Sequence, residues 1–257
     1  MSELRDSLPF SLEGEVAVIT GGGTGLGKAM AACMCAAGAT VVITGRREEP
    51  LRETVAELGD RARYYVFDVT EVDSCPNLIA RISDEVGVPK ILVNNAGVHL
   101  KKTAIETGDD EFSRVLQTHL NGALGMTRAV VPGMIDAGGG SVLFISSMTA
   151  YMGMPLVVAY SAAKSAVKGM VYTLSAELAP KGIRVNALAP GWIDTEMVRK
   201  ALGGDEERRR KVMGRIQNGK LGKPEDIGWA AVYLSSPAAS YITGLVMPVD
   251  GGGHVGF

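Results

Sequence analysis

The 257-residue chain has little that would tie it to a membrane, a metal or a nucleic acid. Its longest apolar stretch, Ala29 to Thr44, is interrupted by Gly38 and changes from helix-like to strand-like composition. That falls short of the roughly 20 apolar residues a spanning helix needs. There are only three cysteines, and Cys33 and Cys35 stand two apart, on different faces of an expected helix. An odd count without a C-x-x-C pair points to reduced, structural thiols. The opening Met-Ser-Glu-Leu-Arg-Asp lacks the basic segment and apolar run of a secretory leader, so a cytoplasmic protein is expected. A net charge of -2 gives no electrostatic drive toward nucleic acid, and no His/Cys cluster has metal-ligand spacing. What remains is 46% apolar and 21% charged, an ordinary soluble composition with enough apolar surface to bury a sizeable core.

The chain alternates short apolar runs with longer amphipathic ones. Val16–Thr20, Thr40–Thr44, Tyr64–Phe67, Ile91–Val93 and Val142–Ile145 are nearly continuous apolar segments. Strands read this way when helices cover both faces of a parallel sheet. Arg184–Leu188 and Leu245–Val249 are two further candidates. Helical patterns fall between them, over Lys28–Ala37, Glu48–Leu58, Val72–Val86, Asp109–Ala137, Ser161–Leu178 and Pro224–Ser235. Alternation without a linker predicts one α/β domain over residues 1–257, a doubly wound parallel sheet of about seven strands with helices on both faces. Residues 196–222 depart from this rhythm. They are polar and carry the run Glu206-Glu207-Arg208-Arg209-Arg210-Lys211, read as a solvated helix face within a mobile substrate lid.

The first expected strand runs into Thr20-Gly21-Gly22-Gly23-Thr24-Gly25-Leu26-Gly27 and then a helix. Glycines there let a pyrophosphate approach the amides at a helix N-terminus, which makes the turn a dinucleotide-site candidate. Roughly 20 residues on, an acid would hold an unmodified ribose, but the second strand ends Gly45-Arg46-Arg47. Guanidinium in place of carboxylate favours a 2′-phosphate, hence NADP(H), with NAD(H) possible.

Tyr160 and Lys164 form a Y-x-x-x-K pair about one helical turn apart, on one face. A nearby ammonium is expected to draw the phenol down from its usual value of ~10, giving a proton donor and acceptor usable near neutral pH.

With these motifs in order, the chain resembles the short-chain dehydrogenase/reductase family from about Leu12 to Gly252. Thr20-Gly21-x-x-x-Gly25-x-Gly27, Asn94-Asn95-Ala96-Gly97, Pro190-Gly191-Trp192-Ile193-Asp194-Thr195 and Val249-Asp250-Gly251-Gly252 stand where that family has its signatures. The resemblance implies a Rossmann-like fold and an NAD(P)-dependent oxidoreductase interconverting a carbonyl and a secondary alcohol. It implies a catalytic set of Asn121, Ser147, Tyr160 and Lys164, the thirteen-residue spacing to the tyrosine choosing Ser147 over Ser146. Tyr160 would exchange the proton, Ser147 would hold the substrate oxygen, and Lys164 would bind the nicotinamide ribose and lower the tyrosine pKa. Asn121, at a helix irregularity beside Gly122, would position a relay water. Asn94 would brace the sheet. Around the cofactor it implies contacts from the Gly21–Gly27 loop, from Asp68 and Val69, from Asn95, Ala96 and Gly97, and from Pro190, Gly191, Ile193 and Thr195.

The resemblance implies a small carbonyl or alcohol as substrate. The resemblance extends equally to members acting on gluconate-type sugar acids and on 3-oxoacyl carrier-protein thioesters. Segments facing the nicotinamide would be Val98–Lys102, where His99, Lys101 and Lys102 meet an anion or water, and Met148–Met154, whose Met148, Tyr151, Met152 and Met154 are candidates for an adaptable apolar pocket. Family members usually form tetramers through the helices expected at Asp109–Ala137 and Ser161–Leu178, so a homotetramer is implied. A regulator that binds the dinucleotide without catalysis is the alternative, but would not need all four reacting residues.

Overall fold

The computed structural model describes residues 9–256; the parts of the single-domain expectation at residues 1–8 and 257 lie outside the described residues. Seven parallel strands are arranged in the order β3-β2-β1-β4-β5-β6-β7. They are β1 (Val16–Thr20), β2 (Thr40–Gly45), β3 (Ala62–Val66), β4 (Pro89–Asn94), β5 (Gly140–Ile145), β6 (Ile183–Pro190) and β7 (Val246–Val249). The central strands are apolar at successive positions because both faces are covered: every residue of β1 is buried.

The covering helices are α1 (Gly25–Ala36), α2 (Glu48–Leu58), α3 (Cys75–Glu85), α4 (Asp109–Leu116), α5 (Ala123–Asp136), α6 (Val158–Leu178), α7 (Glu196–Leu202), α8 (Glu206–Arg215) and α9 (Pro224–Ser235). Two separate cores result. Residues of α3, α5 and α6, such as Ile82, Met126 and Val171, pack on one face, and residues of α1 and α9, such as Met30, Met34 and Ile227, on the other. Cys33, Cys35 and Cys75 are free thiols. Burial pushes Cys33 and Cys35 up to about 11.

The helix expected over Asp109–Ala137 is not continuous. Between α4 and α5 the backbone widens into a π-helical turn at Gln117–Gly122. The neighbouring contacts explain this: a Cβ at Gly122 would lie 2.9 Å from the Val69 carbonyl oxygen, so this face of the helix is pressed against the loop after β3. The polar segment 196–222 folds into α7 and α8, held by Leu202, Val212 and Ile216 packed with Trp192, Val198 and Leu221. Thr195 Oγ1 caps α7 by accepting from the Val198 amide, and Asp205 Oδ1 caps α8 by accepting from the Arg208 amide.

The sheet's strand order reverses between β1 and β4. Ligands of doubly wound sheets lie in the crevice outside the carboxyl ends of strands at such a point. The register places Ile19 beside Val93, so the loops after β1 and β4 leave the sheet side by side.

Candidate active site

A cleft of about 1000 Å³ opens at this switch point. Its cofactor end is built by glycines and a polar staple. At Gly27 a Cβ would collide with the Gly21 carbonyl, so a residue without a side chain is needed for α1 to start this close to β1. Asn95 Nδ2 donates to the carbonyls of Thr20 (2.8 Å) and Gly21 (3.1 Å). The amides of Asn95 and Ala96 both donate to Thr20 Oγ1 at 3.0 Å. These bonds tie the end of β4 to the glycine loop. Asn94 reaches the other way, its Nδ2 donating to Thr127 Oγ1 on α5 at 3.0 Å.

No side chain caps the N-terminus of α1, whose first turn carries no acidic residue. Its amides and dipole are therefore available to a phosphate, and Gly21 together with Gly23 to Gly27 lines the cleft. Beyond them, Arg46 and Arg47 stand on the cleft wall, both exposed. Arg46 Nη1 lies 3.9 Å from Asp68 Oδ2, while Asp68 Oδ1 accepts from the amide and hydroxyl of Thr70. Pocket and donor set fit a nicotinamide dinucleotide.

At the other end stand Ser147, Tyr160 and Lys164. Ser147 is buried at the mouth of β5 and caps a short 3-10 turn, its Oγ accepting from the Thr149 amide at 3.1 Å. Ser146 is turned away, donating to the Lys164 carbonyl at 2.9 Å, which ties β5 to α6. Lys164 Nζ is buried and donates to the Ile145 carbonyl at 2.6 Å. Pro190, Gly191, Ile193 and Thr195 close the cleft from the β6 side. Gly191 is held by the Val249 carbonyl, and Ile193 by a bridge to Gly222.

Of the expected catalytic set, every member lines this cleft except Asn121. Asn121 is exposed and donates to Gln117 Oε1 at 2.5 Å, on the outer side of the π turn. Two residues earlier, His119 occupies the inner side. It is buried, lines the cleft and meets the Tyr160 ring edge-on at 5.5 Å between centroids. Gly97 makes room for it, since a Cβ there would lie 2.5 Å from His119 Cε1. Nε2 lies 2.8 Å from the Val98 carbonyl and 3.2 Å from the Val98 amide, so the Val98 backbone holds the ring in place. Nδ1 is buried with no partner among the described residues. Burial, then the Lys164 charge, holds this imidazole down to about 3, so it is neutral. A lone histidine in an apolar frame, Thr-His-Leu, was the available sequence signal for it.

The charge state of the Tyr160/Lys164 pair also differs from expectation. Burial pushes the phenol above its ordinary value, the Ser147 hydroxyl drawing it the other way. Burial pulls Lys164 down to about 7. The ammonium sits 5.5 Å from the centre of the tyrosine ring and is directed to Ile145, so desolvation outweighs the cation expected to lower the phenol. The pair leans toward neutral phenol and neutral amine, and a neutral phenol is a proton donor.

On the substrate side, His99 lies with its ring centroid 5.2 Å from that of Tyr160. Lys102 is paired with Glu111 at 2.7 Å, and is thereby engaged. Met148, Tyr151, Met152 and Met154 are absent from the cleft wall, and Tyr151 donates its hydroxyl to the Val246 carbonyl.

The chain is similar to known proteins along most of its length. A family model described as Enoyl-(Acyl carrier protein) reductase matches residues 21–254. The chain is 36% identical to the 3-oxoacyl-(acyl-carrier-protein) reductase of Vibrio harveyi, over 95% of this chain and 98% of that one. It is 37% identical to the 2-dehydro-3-deoxy-D-gluconate 5-dehydrogenase of Pseudoalteromonas atlantica, over 95% and 97%. A crystal structure of a gluconate 5-dehydrogenase from Burkholderia cenocepacia, in complex with NADP and tartrate, superposes with a TM-score of 0.91 at 32% identity, covering 97% of this chain and 98% of that one. The protein is a nicotinamide-dependent oxidoreductase that interconverts a carbonyl and a secondary alcohol. It belongs to the short-chain dehydrogenase/reductase family, and these relatives give no support to the non-catalytic alternative.

Proposed function

We propose that this enzyme uses NADP(H) in preference to NAD(H), with Tyr160 as the proton donor and acceptor, Ser147 as the group that holds the substrate oxygen, and Lys164 as the ribose-binding neighbour. The observation that carries the reading is the convergence of Ser147, Tyr160 and Lys164 at one end of a cleft whose other end presents Arg46 and Arg47. When bound, the nicotinamide supplies or accepts the hydride. The chain's own residues do the rest. Ser147 Oγ, fixed by the Thr149 amide, fixes the oxygen in reach of the phenol. Tyr160 gives its proton to that oxygen in reduction and takes it back in oxidation. Lys164, at about 7, exchanges a proton with its surroundings at little cost near neutral pH. We assign the relay position to His119 and none to Asn121, because only His119 lies in the cleft.

Arg46 and Arg47 support the cofactor preference, since the loop after β2 presents two guanidinium groups where an acid would select NAD(H). Segment 196–222 is proposed as a lid, since it is anchored by one small apolar cluster beside the cleft. A homotetramer is supported by the outer face of α6, where Ala162, Ala166 and Gly169 are exposed and would let another helix approach closely. The three free thiols favour the cytoplasm. Among the described residues, no helix is long and apolar enough to cross a membrane.

The test is a panel of ketones, sugar acids, polyols and acyl thioesters with both cofactors, run on the wild type and on Tyr160→Phe. Tyr160→Phe is expected to lose turnover while cofactor fluorescence still titrates near the wild-type affinity. Near-normal turnover in that variant would remove Tyr160 from the chemistry.

A further inference from the structure

We propose that His254 is a positioning residue: through Asp250 it closes the C-terminal turn, residues 250–256, into a clasp that keeps α8, the cleft wall at Gly191 and the turn capped by Ser147 in one register. This rests on the oxidoreductase reading above and goes beyond it, since none of Arg215, Asp250 and His254 lines the cleft.

The turn is wound around one carboxylate. The Asp250 side chain is only 4% exposed. A buried charge must find donors, and Asp250 finds them inside the turn. Its Oδ1 accepts from the Gly252 amide at 3.0 Å, and its Oδ2 accepts from the His254 amide and from His254 Nδ1, both at 2.7 Å. The backbone is left-handed at Gly251 and Gly252, with φ of 61° and 83°, a bend that a side chain would resist.

Three parts of the site meet this turn. The first is α8. Arg215 Nε, at the end of that helix, donates to the Gly253 carbonyl at 3.2 Å, and the Asn218 amide donates to the Gly251 carbonyl at 3.1 Å. These two bonds flank Ile216, one of the apolar residues that seat α7 and α8. The second part is the cleft wall. A Cβ on Gly191 would collide with the Cβ of Asp250, so Gly191 rests directly on the residue that His254 holds. The third is the serine. Ser147 Oγ caps the 3-10 turn Met148–Ala150, and Tyr151 is the next residue. The Tyr151 ring lies 5.3 Å from the His254 ring between centroids, and its hydroxyl is anchored on the Val246 carbonyl of β7 at 2.8 Å. Tyr151 is thus turned to the C-terminal turn instead of the cleft.

His254 joins the two sides, since its Nδ1 grips Asp250 and its ring meets Tyr151. A hydrogen bond to an ionised acceptor is stronger than a neutral one. Its loss frees the turn where α8 and the Ser147 turn lean on it. The phosphate end of the cleft, built by α1 and the glycine loop, does not depend on it. The signature is weaker substrate binding with cofactor binding kept.

The experiment measures kcat, KM, NADP affinity and the rate of proteolytic cleavage within 196–222. The variants are His254→Ala, His254→Asn, Arg215→Met and the double variant of His254→Ala with Arg215→Met. Lys211→Gln, on the exposed side of α8, is the control. His254→Ala should raise the substrate KM and speed cleavage by about ten-fold each, with NADP affinity kept. His254→Asn, which can still donate to Asp250, should recover most of both. Arg215→Met should move both in the same direction. The double variant should add little to His254→Ala, because the two side chains act through one turn. Lys211→Gln should change neither. Unchanged KM and cleavage in His254→Ala or Arg215→Met overturn the proposal, as does a His254→Asn variant no better than His254→Ala. Fully additive effects in the double variant also overturn it, as does a lower urea midpoint with neither KM nor cleavage changed. If His254→Ala does not fold, Arg215→Met and His254→Asn decide by the same criteria. A wild type that binds NADP yet turns over nothing in the panel instead counts against the oxidoreductase reading, and the cleavage rates then decide the clasp by themselves.

Discussion

Replacing Lys164 by methionine removes a buried ammonium without opening a large cavity, and its cost can be worked out from the site. Lys164 donates to the Ile145 carbonyl, and burial pulls its pKa from 10.5 to about 7. Between those values the unfolded chain carries a proton that the folded chain has released. Stability rises with pH wherever the unfolded state binds more protons, so the penalty for burying this group is full below about pH 7 and is relieved as pH climbs. From pH 7 to pH 9 the relief amounts to about 2 kcal/mol. Few other shifted groups interfere in that window. His119, held down to about 3 from 6.5, has finished its contribution below it. Cys33 and Cys35, raised from 9.0 to about 11, begin to cost stability near its upper end, by the same amount in wild type and variant. The assay is urea unfolding of the cofactor-free protein at fixed concentration, at pH 7 and pH 9. The wild type should gain about 2 kcal/mol on the Lys164→Met variant across that interval. The variant should be the more stable of the two at pH 7, even after about 1 kcal/mol for leaving the Ile145 carbonyl without its donor. Parallel pH dependences would refute the reasoning, because they would mean that Lys164 keeps its ordinary pKa in the folded protein.

Two other perturbations separate the assignments made above. His119→Ala should lower kcat by about ten-fold or more, whereas Asn121→Ala should leave steady-state kinetics unchanged; the opposite ranking would restore Asn121 to the site. Arg46→Ala should weaken NADP(H) by about ten-fold while sparing NAD(H), read by fluorescence titration of each cofactor; an unchanged ratio would leave the 2′-phosphate to Arg47 or to neither.

The sheet was legible because burial on both faces leaves strands such as Val16–Thr20 with no polar position to confuse the pattern. The glycine loop was legible because backbone closeness between α1 and β1 can be met only by a missing side chain, and Gly27 is that position. The irregularity in the long helix could be anticipated from Gly122, but not its phase. A π turn adds a residue to one turn and rotates the rest of the helix, and such turns recur at functional sites. Which residue then faces inward is fixed by Gly122 against Val69 and by the bare backbone of Gly97 beneath His119, contacts separated by 53 and 22 positions in the chain. Local spacing holds no record of them.

The same limit governs the pair Tyr160 and Lys164. Their spacing gives a shared face, and α6 provides it. The charge on that face depends instead on where the lysine finds an acceptor, and Lys164 finds it on β5, 19 residues away. An ammonium bonded to a backbone carbonyl gains a dipole but no counter-charge, so desolvation prevails and draws it toward neutrality. The consequence reaches the substrate. A catalytic end that lowers its own positive charge cannot hold a carboxylate by itself, and any anion brought there must find its cation elsewhere.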